Sequence, residues 1–237
     1  MREIRGKQVL TFDIETTGLS AIDNEYFTAV AYDGKDKLIM HDLNDLYTLQ
    51  MKYDWDKWII ATYNGQNYHG GFDFPFLRTQ MINKQMKWPF TNFWHIDFLP
   101  IIKKYFNTSI NETQIDSVSS LYKADLVELA EANGIEYTNK QETYTALEGL
   151  ENCDWLDHKK EQTKSHNDMQ SVYQYYFDQE CNETYISGED VPDLIAEGKG
   201  KIVTEHCIND VVRLYKLIDR VIHYLPDEVL YKHTEQL

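Results

Sequence analysis

Residues 8–19 read Gln8-Val9-Leu10-Thr11-Phe12-Asp13-Ile14-Glu15-Thr16-Thr17-Gly18-Leu19, an apolar run that closes on two acids and a glycine turn. The β-branched and aromatic content of Gln8–Asp13 predicts a strand. Strand side chains alternate between faces, so Asp13 and Glu15 point the same way, side by side where the sheet ends. Two carboxylates that close repel each other unless one holds a proton or a cation sits between them. In a chain with 39 acidic residues a D-x-E triplet also arises by chance, and an acidic strand end facing water is the plain alternative.

Two further acids stand in pointed contexts. Asp73 follows the glycine-rich stretch Tyr63-Asn64-Gly65-Gln66-Asn67-Tyr68-His69-Gly70-Gly71-Phe72 and leads Phe74-Pro75-Phe76-Leu77. It reads either as the N-cap of an aromatic helix or as a ligand, and the Phe residues around it read as core. Asp210 closes Glu205-His206-Cys207-Ile208-Asn209-Asp210. At about 100° per residue, Val203, Cys207, Val211, Leu214, Ile218 and Val221 share one apolar sector, with His206 and Asp210 one turn apart on its margin. Such a pair is either an ordinary helix-surface contact or part of a site.

Around these points the chain alternates. Phe27–Tyr32 and Lys37–His41 read as strands separated by turn chemistry, Leu43–Trp55 as a helix and Trp58–Tyr63 as a buried strand. Helices are expected over 74–85, 117–133, 192–197 and 201–224, and a strand over 93–98. Between 136 and 188 acids outnumber the lysines Lys140, Lys159, Lys160 and Lys164, and periodicity is poor until Val172. That stretch reads as an insert packed on a single domain spanning residues 1–237.

With 42% hydrophobic residues the 237-residue chain can build a core, which excludes wholesale disorder. A net charge of −16 excludes a protein that coats duplexes by displacing counterions. It does not exclude a nucleic-acid enzyme, because bound divalent cations neutralise a carboxylate site locally. Apolar runs are far shorter than the roughly 20 residues of a membrane span, so no membrane partner is expected. The charged start Met1-Arg2-Glu3 has no signal-like core, and Cys153, Cys181 and Cys207 lack metal or disulfide spacing. The expectation is ordinary thiols in a reducing, cytoplasmic setting, of cellular, viral or phage origin.

Taken in order, Phe12-Asp13-Ile14-Glu15-Thr16-Thr17-Gly18-Leu19, Tyr63-Asn64-Gly65 with the downstream Phe72-Asp73-Phe74-Pro75-Phe76-Leu77, and His206-Cys207-Ile208-Asn209-Asp210-Val211 resemble the DEDD superfamily of 3'-5' exonucleases. The nearest branch is similar to the exonuclease domain of family B DNA polymerases and their stand-alone relatives. Ser117–Ile135, Trp94-His95-Ile96-Asp97 with Asp97 structural, and the run from Ile186 through Pro192 add to the likeness. The resemblance implies an α/β, ribonuclease H-like fold with a mixed five-stranded sheet flanked by helices, carrying a helical, acidic insert.

It further implies that Asp13, Glu15, Asp73 and Asp210 bind two Mg²⁺ or Mn²⁺ ions. Asp13 would bridge them, Glu15 and Asp210 would complete the first site, and Asp73 would support the second. Two hard cations about 4 Å apart suit in-line phosphodiester hydrolysis, one at the attacking water and one at the leaving oxygen. His206 would deprotonate or orient that water. Its spacing departs from the family: one branch has histidine five residues before the last aspartate, the other tyrosine four before it, and here His206 takes the second position. The interval from Asn64 to Asp73 is also longer than usual, with Asn67–Gly70 expected to bulge toward the substrate entrance. Thr17 and Leu19 would contact the terminal nucleotide, with Leu19 wedging against its base, and Asn64 would line the same cleft.

The expected partner is single-stranded nucleic acid with a free 3' end, DNA first and RNA second. Between Phe74 and Phe106, Arg78, Lys84, Lys87, Lys103 and Lys104 face only Asp97, interleaved with Trp88, Phe90, Phe93 and Trp94. That pattern suits strand tracking and base stacking, or a solvated face above core aromatics. The acidic insert would dock a replication or repair partner or gate the cleft. With no polymerase-sized remainder, proofreading would act in trans. A catalytically silent relative serving as a nucleic-acid-binding or scaffold module is the alternative. An aspartic protease is disfavoured because no Asp-Thr-Gly occurs.

Overall fold

In the computed structural model, residues 3–67, 70–107, 109–115, 123–148, 159–165, 169–177, 186 and 190–237 are described. In chain order the first elements are β1 (Gln8–Thr16), β2 (Tyr26–Tyr32), β3 (Lys37–Met40), α1 (Tyr47–Lys52), β4 (Trp58–Thr62), α2 (Asp73–Asn83), β5 (Trp94–Asp97) and α3 (Phe98–Tyr105). Then come β6 (Ser109–Ile115), α4 (Lys123–Ala132), α5 (Lys140–Glu148) and β7 (Lys159–Ser165). The chain ends through α6 (Met169–Phe177), α7 (Val191–Ala196), α8 (Gly200–Val221), α9 (Asp227–Lys232) and β8 (Thr234–Gln236).

β1 extends past Asp13, so both acids of the D-x-E triplet lie inside the strand and share a face. Its even positions Leu10, Phe12 and Ile14 bury against Phe74, Leu77 and Met81 of α2 and against Phe90 and Phe93. The other face meets α8: Val9 joins a cluster with Ile59, Ile96, Leu214 and Ile218, and Thr11 Oγ1 donates to the Val211 carbonyl at 2.8 Å. Helices therefore cover both faces of the sheet, and each large side chain so buried contributes about 1.5–3 kcal/mol.

The sheet has strand order β3-β2-β1-β4-β5-β8. β2 pairs antiparallel to β1, while β4 runs parallel to β1 with Gln8 opposite Trp58 and Thr11 opposite Ala61, and β5 runs parallel to β4. The sheet is mixed, as expected, but six-stranded rather than five-stranded. The additional strand, β8, pairs antiparallel with β5, and its Glu235 Oε1 lies 3.3 Å from Nδ1 of the fully buried His95. Three residues make a strand only when a neighbour supplies the ladder, so its own pattern carries little signal.

Two compact units emerge, Met1–Thr108 with Asn167–Leu237, and Ser109–His166. In the second, β6 and β7 pair antiparallel from Ser109 opposite Ser165 to Ile115 opposite Lys159, and Leu126, Leu129 and Leu147 of α4 and α5 bury together. The acidic segment expected over 136–188 overlaps this unit, which holds a β-ribbon as well as helices. No helix is long and apolar enough to cross a membrane among the described residues. Cys153 and Cys181, and the helical expectation over 117–122, fall outside the described residues.

Candidate active site

Because β4 runs parallel beside β1, the loop after β4 delivers the start of α2 to the same sheet end that carries Asp13 and Glu15. That loop is pinned from below. The Asn64 amide donates to Asp97 Oδ1 at 2.9 Å, Asn67 Nδ2 donates to Asp97 Oδ2 at 2.9 Å, and Asp97 also caps α3 through the Leu99 amide at 3.0 Å. Asp97 is thus structural, as expected. The loop closes where the Phe72 amide donates to the Asn64 carbonyl at 2.6 Å. Gly71 sits at φ +94° with Gln66 backbone 2.6 Å from where a Cβ would be, so no other residue fits there unstrained.

Asp73 is the first residue of α2, and it does not cap the helix: Phe72 occupies the cap position without a side-chain bond. Its carboxylate is 4% exposed as a residue, and Oδ2 is buried with no hydrogen-bond partner. With Phe72 at the cap the N-cap reading fails, and a buried carboxylate oxygen left unpaired is costly, a cost that a bound cation would remove.

From the other direction α8 brings its margin to the same acids. His206 Nε2 lies 3.8 Å from Glu15 Oε1 and 3.5 Å from Asp210 Oδ2. Donor atoms of Glu15, His206 and Asp210 lie within 4.8 Å of one another, as do those of Asp13, Glu15 and Cys207. The predicted apolar sector of α8 is buried throughout, from Val203 to Val221, which fixes the rotation of the helix and hence of His206 and Asp210.

The electrostatics follow from this crowding. Burial first and the Asp210 charge second push the Asp13 carboxyl up to about 8, against the hydrogen bonds from Cys207 and the Ile14 backbone. Glu15 is held well above the usual carboxylate range by burial, then by Asp13, Asp210 and Asp73. Asp73 is raised by burial, then by Asp13 and Asp97. Glu15 therefore feels the other three sequence-predicted acids, while Asp73 lies outside the two groups whose ligand atoms come within 4.8 Å of one another; hard divalent cations, which prefer oxygen ligands, suit the carboxylates of Asp13, Glu15 and Asp210. Asp73 Oδ2, with no partner in the protein, is the specific point where the residues present fit a cation.

The remaining predicted residues are placed as follows. Thr17 is tied to Glu25 through reciprocal bonds: its amide donates to the Glu25 carbonyl at 2.9 Å and its hydroxyl accepts from the Glu25 amide at 2.8 Å. Leu19 is 82% exposed at the turn after β1. Asn64, at φ +73°, lines a cavity beside the loop. Asn67 and Gly70 bridge each other across the loop tip, whose residues 68 and 69 are outside the described set. Of the interleaved aromatics, Phe90 and Phe93 are core residues and present no face to a base.

Two contributors were not read from sequence as parts of the site. Arg213 NH1 donates to Asp210 Oδ1 at 3.0 Å, an i, i+3 pair visible in the spacing. Cys207, read as an ordinary thiol, donates from Sγ to Asp13, and only the placement of its helix face toward the D-x-E triplet reveals that.

A family model described as RNase_H superfamily matches residues 10–222. Among solved structures, the EXO domain of Nibbler from Aedes aegypti is similar at 12% identity, over 60% of this chain and 72% of that one, with a TM-score of 0.30. No curated protein gives a significant match.

Proposed function

The chain belongs to the RNase H superfamily, and on that premise we propose that it is a metal-dependent 3'-5' exonuclease of the DEDD type acting on single-stranded DNA, with RNA the second candidate substrate. The observation that carries this is the convergence of Asp13, Glu15, Asp73 and Asp210 into one repelling set, with Asp73 Oδ2 buried and unpartnered. Asp13, Glu15 and Asp210 would hold one Mg²⁺ or Mn²⁺, and Asp13 with Asp73 a second. Such ions, when bound, neutralise the phosphodiester charge and make a water nucleophilic near neutral pH.

The chain's own groups supply the rest. His206 Nε2, opening onto Glu15 and Asp210, takes the proton of the attacking water. The water oxygen bonds to phosphorus, the bond to the 3' oxygen of the penultimate nucleotide breaks, and that oxygen leaves and is protonated by solvent. A 5'-mononucleotide is released. Arg213 fixes the rotamer of Asp210, and Leu19, exposed at the turn after β1, packs on the terminal base in this reading. The setting is intracellular, and the acidic 136–188 segment docks a replication or repair partner.

Digestion of end-labelled single- and double-stranded DNA and RNA with Mg²⁺ or Mn²⁺ tests this reading. A ladder shortening from the 3' end of single strands, absent in Asp13→Ala and on chelation, supports it. Cleavage that survives Asp13→Ala, or no cleavage with either metal, overturns it.

A further inference from the structure

Beside the loop that leads into Asp73 lies a concavity of about 860 Å³, walled by that loop, by α3 and by the C-terminal segment. Lys103 and Lys104, from the last turn of α3, and Lys232, from the end of α9, line it together with the side-chain amides of Gln66 and Asn67. On a chain of net charge −16, three lysines converging on one hollow are a local reversal of sign.

The wall also holds two carboxylates, Asp97 and Glu235, so the three lysines exceed them by one charge. Asp97 is taken up by the amides of Asn64 and Leu99 and by Asn67 Nδ2, and Glu235 faces His95. Among the described residues no carboxylate pairs with Lys103, Lys104 or Lys232. His233, in the same wall, has Nε2 buried without a hydrogen-bond partner. Burial first, then the charges of Lys104 and Lys232 working against that of Asp97, keep its imidazole below its ordinary value.

We infer that this hollow is a phosphate-binding pocket for a nucleotide, separate from the acidic cluster. Ammonium groups without a carboxylate partner are what a phosphate dianion or a phosphodiester needs. The volume falls within the range of small-ligand sites and exceeds what inorganic phosphate alone would fill, leaving room for sugar and base. Its wall includes Asn64, Gln66, Asn67 and Gly71, from the loop that leads into Asp73. The phosphate comes from one of two sources, an internal residue of a bound single strand or a released mononucleotide. That it serves a nuclease rests on the function proposed above, whereas anion binding itself does not.

Binding measured in EDTA, which removes any contribution from the acidic cluster with metal, separates these. The probes are a fluorescent ten-nucleotide oligothymidylate, 5'-thymidine monophosphate and inorganic phosphate, each titrated against wild type, Lys103→Gln/Lys104→Gln/Lys232→Gln and the corresponding triple arginine variant. A loss of at least 10-fold in oligonucleotide affinity, with a shallower salt dependence and recovery in the arginine variant, assigns the pocket to a strand phosphate. The same loss seen with the mononucleotide alone assigns it to released product. Equal binding by wild type and the glutamine variant for all three probes, with unchanged melting temperature, overturns the pocket. Because the readout needs no cleavage, a protein that binds through these lysines but makes no ladder keeps the pocket and loses the nuclease reading, and the converse is equally distinguishable.

Discussion

The thiol of Cys207 donates to the carboxylate of Asp13, Sγ to Oδ2 at 3.5 Å, and also lies 3.6 Å from the Asp13 carbonyl oxygen. The thiol is fully buried, and burial first, then the Asp13, Glu15 and Asp210 charges, hold its pKa well above the usual thiol value. It therefore stays a proton donor and anchors one oxygen of the acid at the centre of the cluster. Partners that orient a metal-ligating carboxylate are worth about 10- to 100-fold in affinity or activity. Cys207→Ala should lower turnover by about 10-fold with a higher Mg²⁺ requirement, and Cys207→Ser, which keeps a donor, should recover most of it. Metal titrations of the nuclease rate check both.

The crowded acids set a pH dependence for the metal-free protein. A carboxyl whose folded pKa is raised takes up a proton on folding, so its full stability is present below its unfolded pKa and is lost as pH rises through the folded value. For Asp13 that window runs from the ordinary carboxylate range to about 8. In EDTA the melting temperature should therefore fall between pH 5 and pH 8. Asp13→Asn and Asp73→Asn should melt higher than wild type at pH 8 and the same as wild type near pH 4, while Mn²⁺ at pH 8 should stabilise wild type more than either variant. Melting curves across that pH range, with and without metal, give the comparison.

Much of this was legible in sequence because it depends on short periodicities. The alternation through Leu10, Phe12 and Ile14 and the sector from Val203 to Val221 fixed which faces are buried, and so where Asp13, Glu15, His206 and Asp210 point. Asp73 was ambiguous between cap and ligand because both readings need an acid at a helix start. The cap reading falls because Phe72 takes that position, and the unpartnered Oδ2 is what supports the ligand reading proposed above. β8 was illegible for a different reason: its three residues acquire strand geometry from β5, more than 130 positions away in the chain, as Ile96 opposite Thr234 shows. The phosphate pocket was hidden likewise, since Lys232 meets Lys103 and Lys104 only through that pairing.

Asp33 tests the edge of the fold independently of the site. Its Oδ1 accepts from the Lys35 and Asp36 amides at 2.9 and 2.7 Å, and its Oδ2 from the Tyr53 hydroxyl at 3.1 Å. Burial works to raise its carboxyl, but these bonds and Lys52 outweigh it and leave it below its ordinary value. A depressed carboxyl stabilises above its unfolded pKa, and that contribution is lost as pH falls through the folded value. Asp33→Ala should cost roughly 1 kcal/mol at pH 7, and progressively less as pH falls below 4. Urea unfolding at the two pH values measures the difference.

Arg213 is 9% exposed and its guanidinium donates to Asp210 Oδ1, a charge inside the helix–sheet interface balanced by the acid it steadies. Removing the guanidinium takes one charge-assisted hydrogen bond from an acid that still faces His206 at 3.5 Å, at a cost of about 1.5–3 kcal/mol. Arg213→Ala should therefore lose stability of that order in EDTA. Divalent cations should restore part of it, because they can answer the charge that the guanidinium answered. Arg213→Lys keeps the charge but presents a single ammonium in place of the planar fork, so it should fold near wild type while cleaving more slowly. Urea unfolding with and without Mn²⁺, beside initial cleavage rates, separates the two effects. If Arg213→Ala were as stable as wild type in EDTA and insensitive to Mn²⁺, the guanidinium would have no share in balancing Asp210.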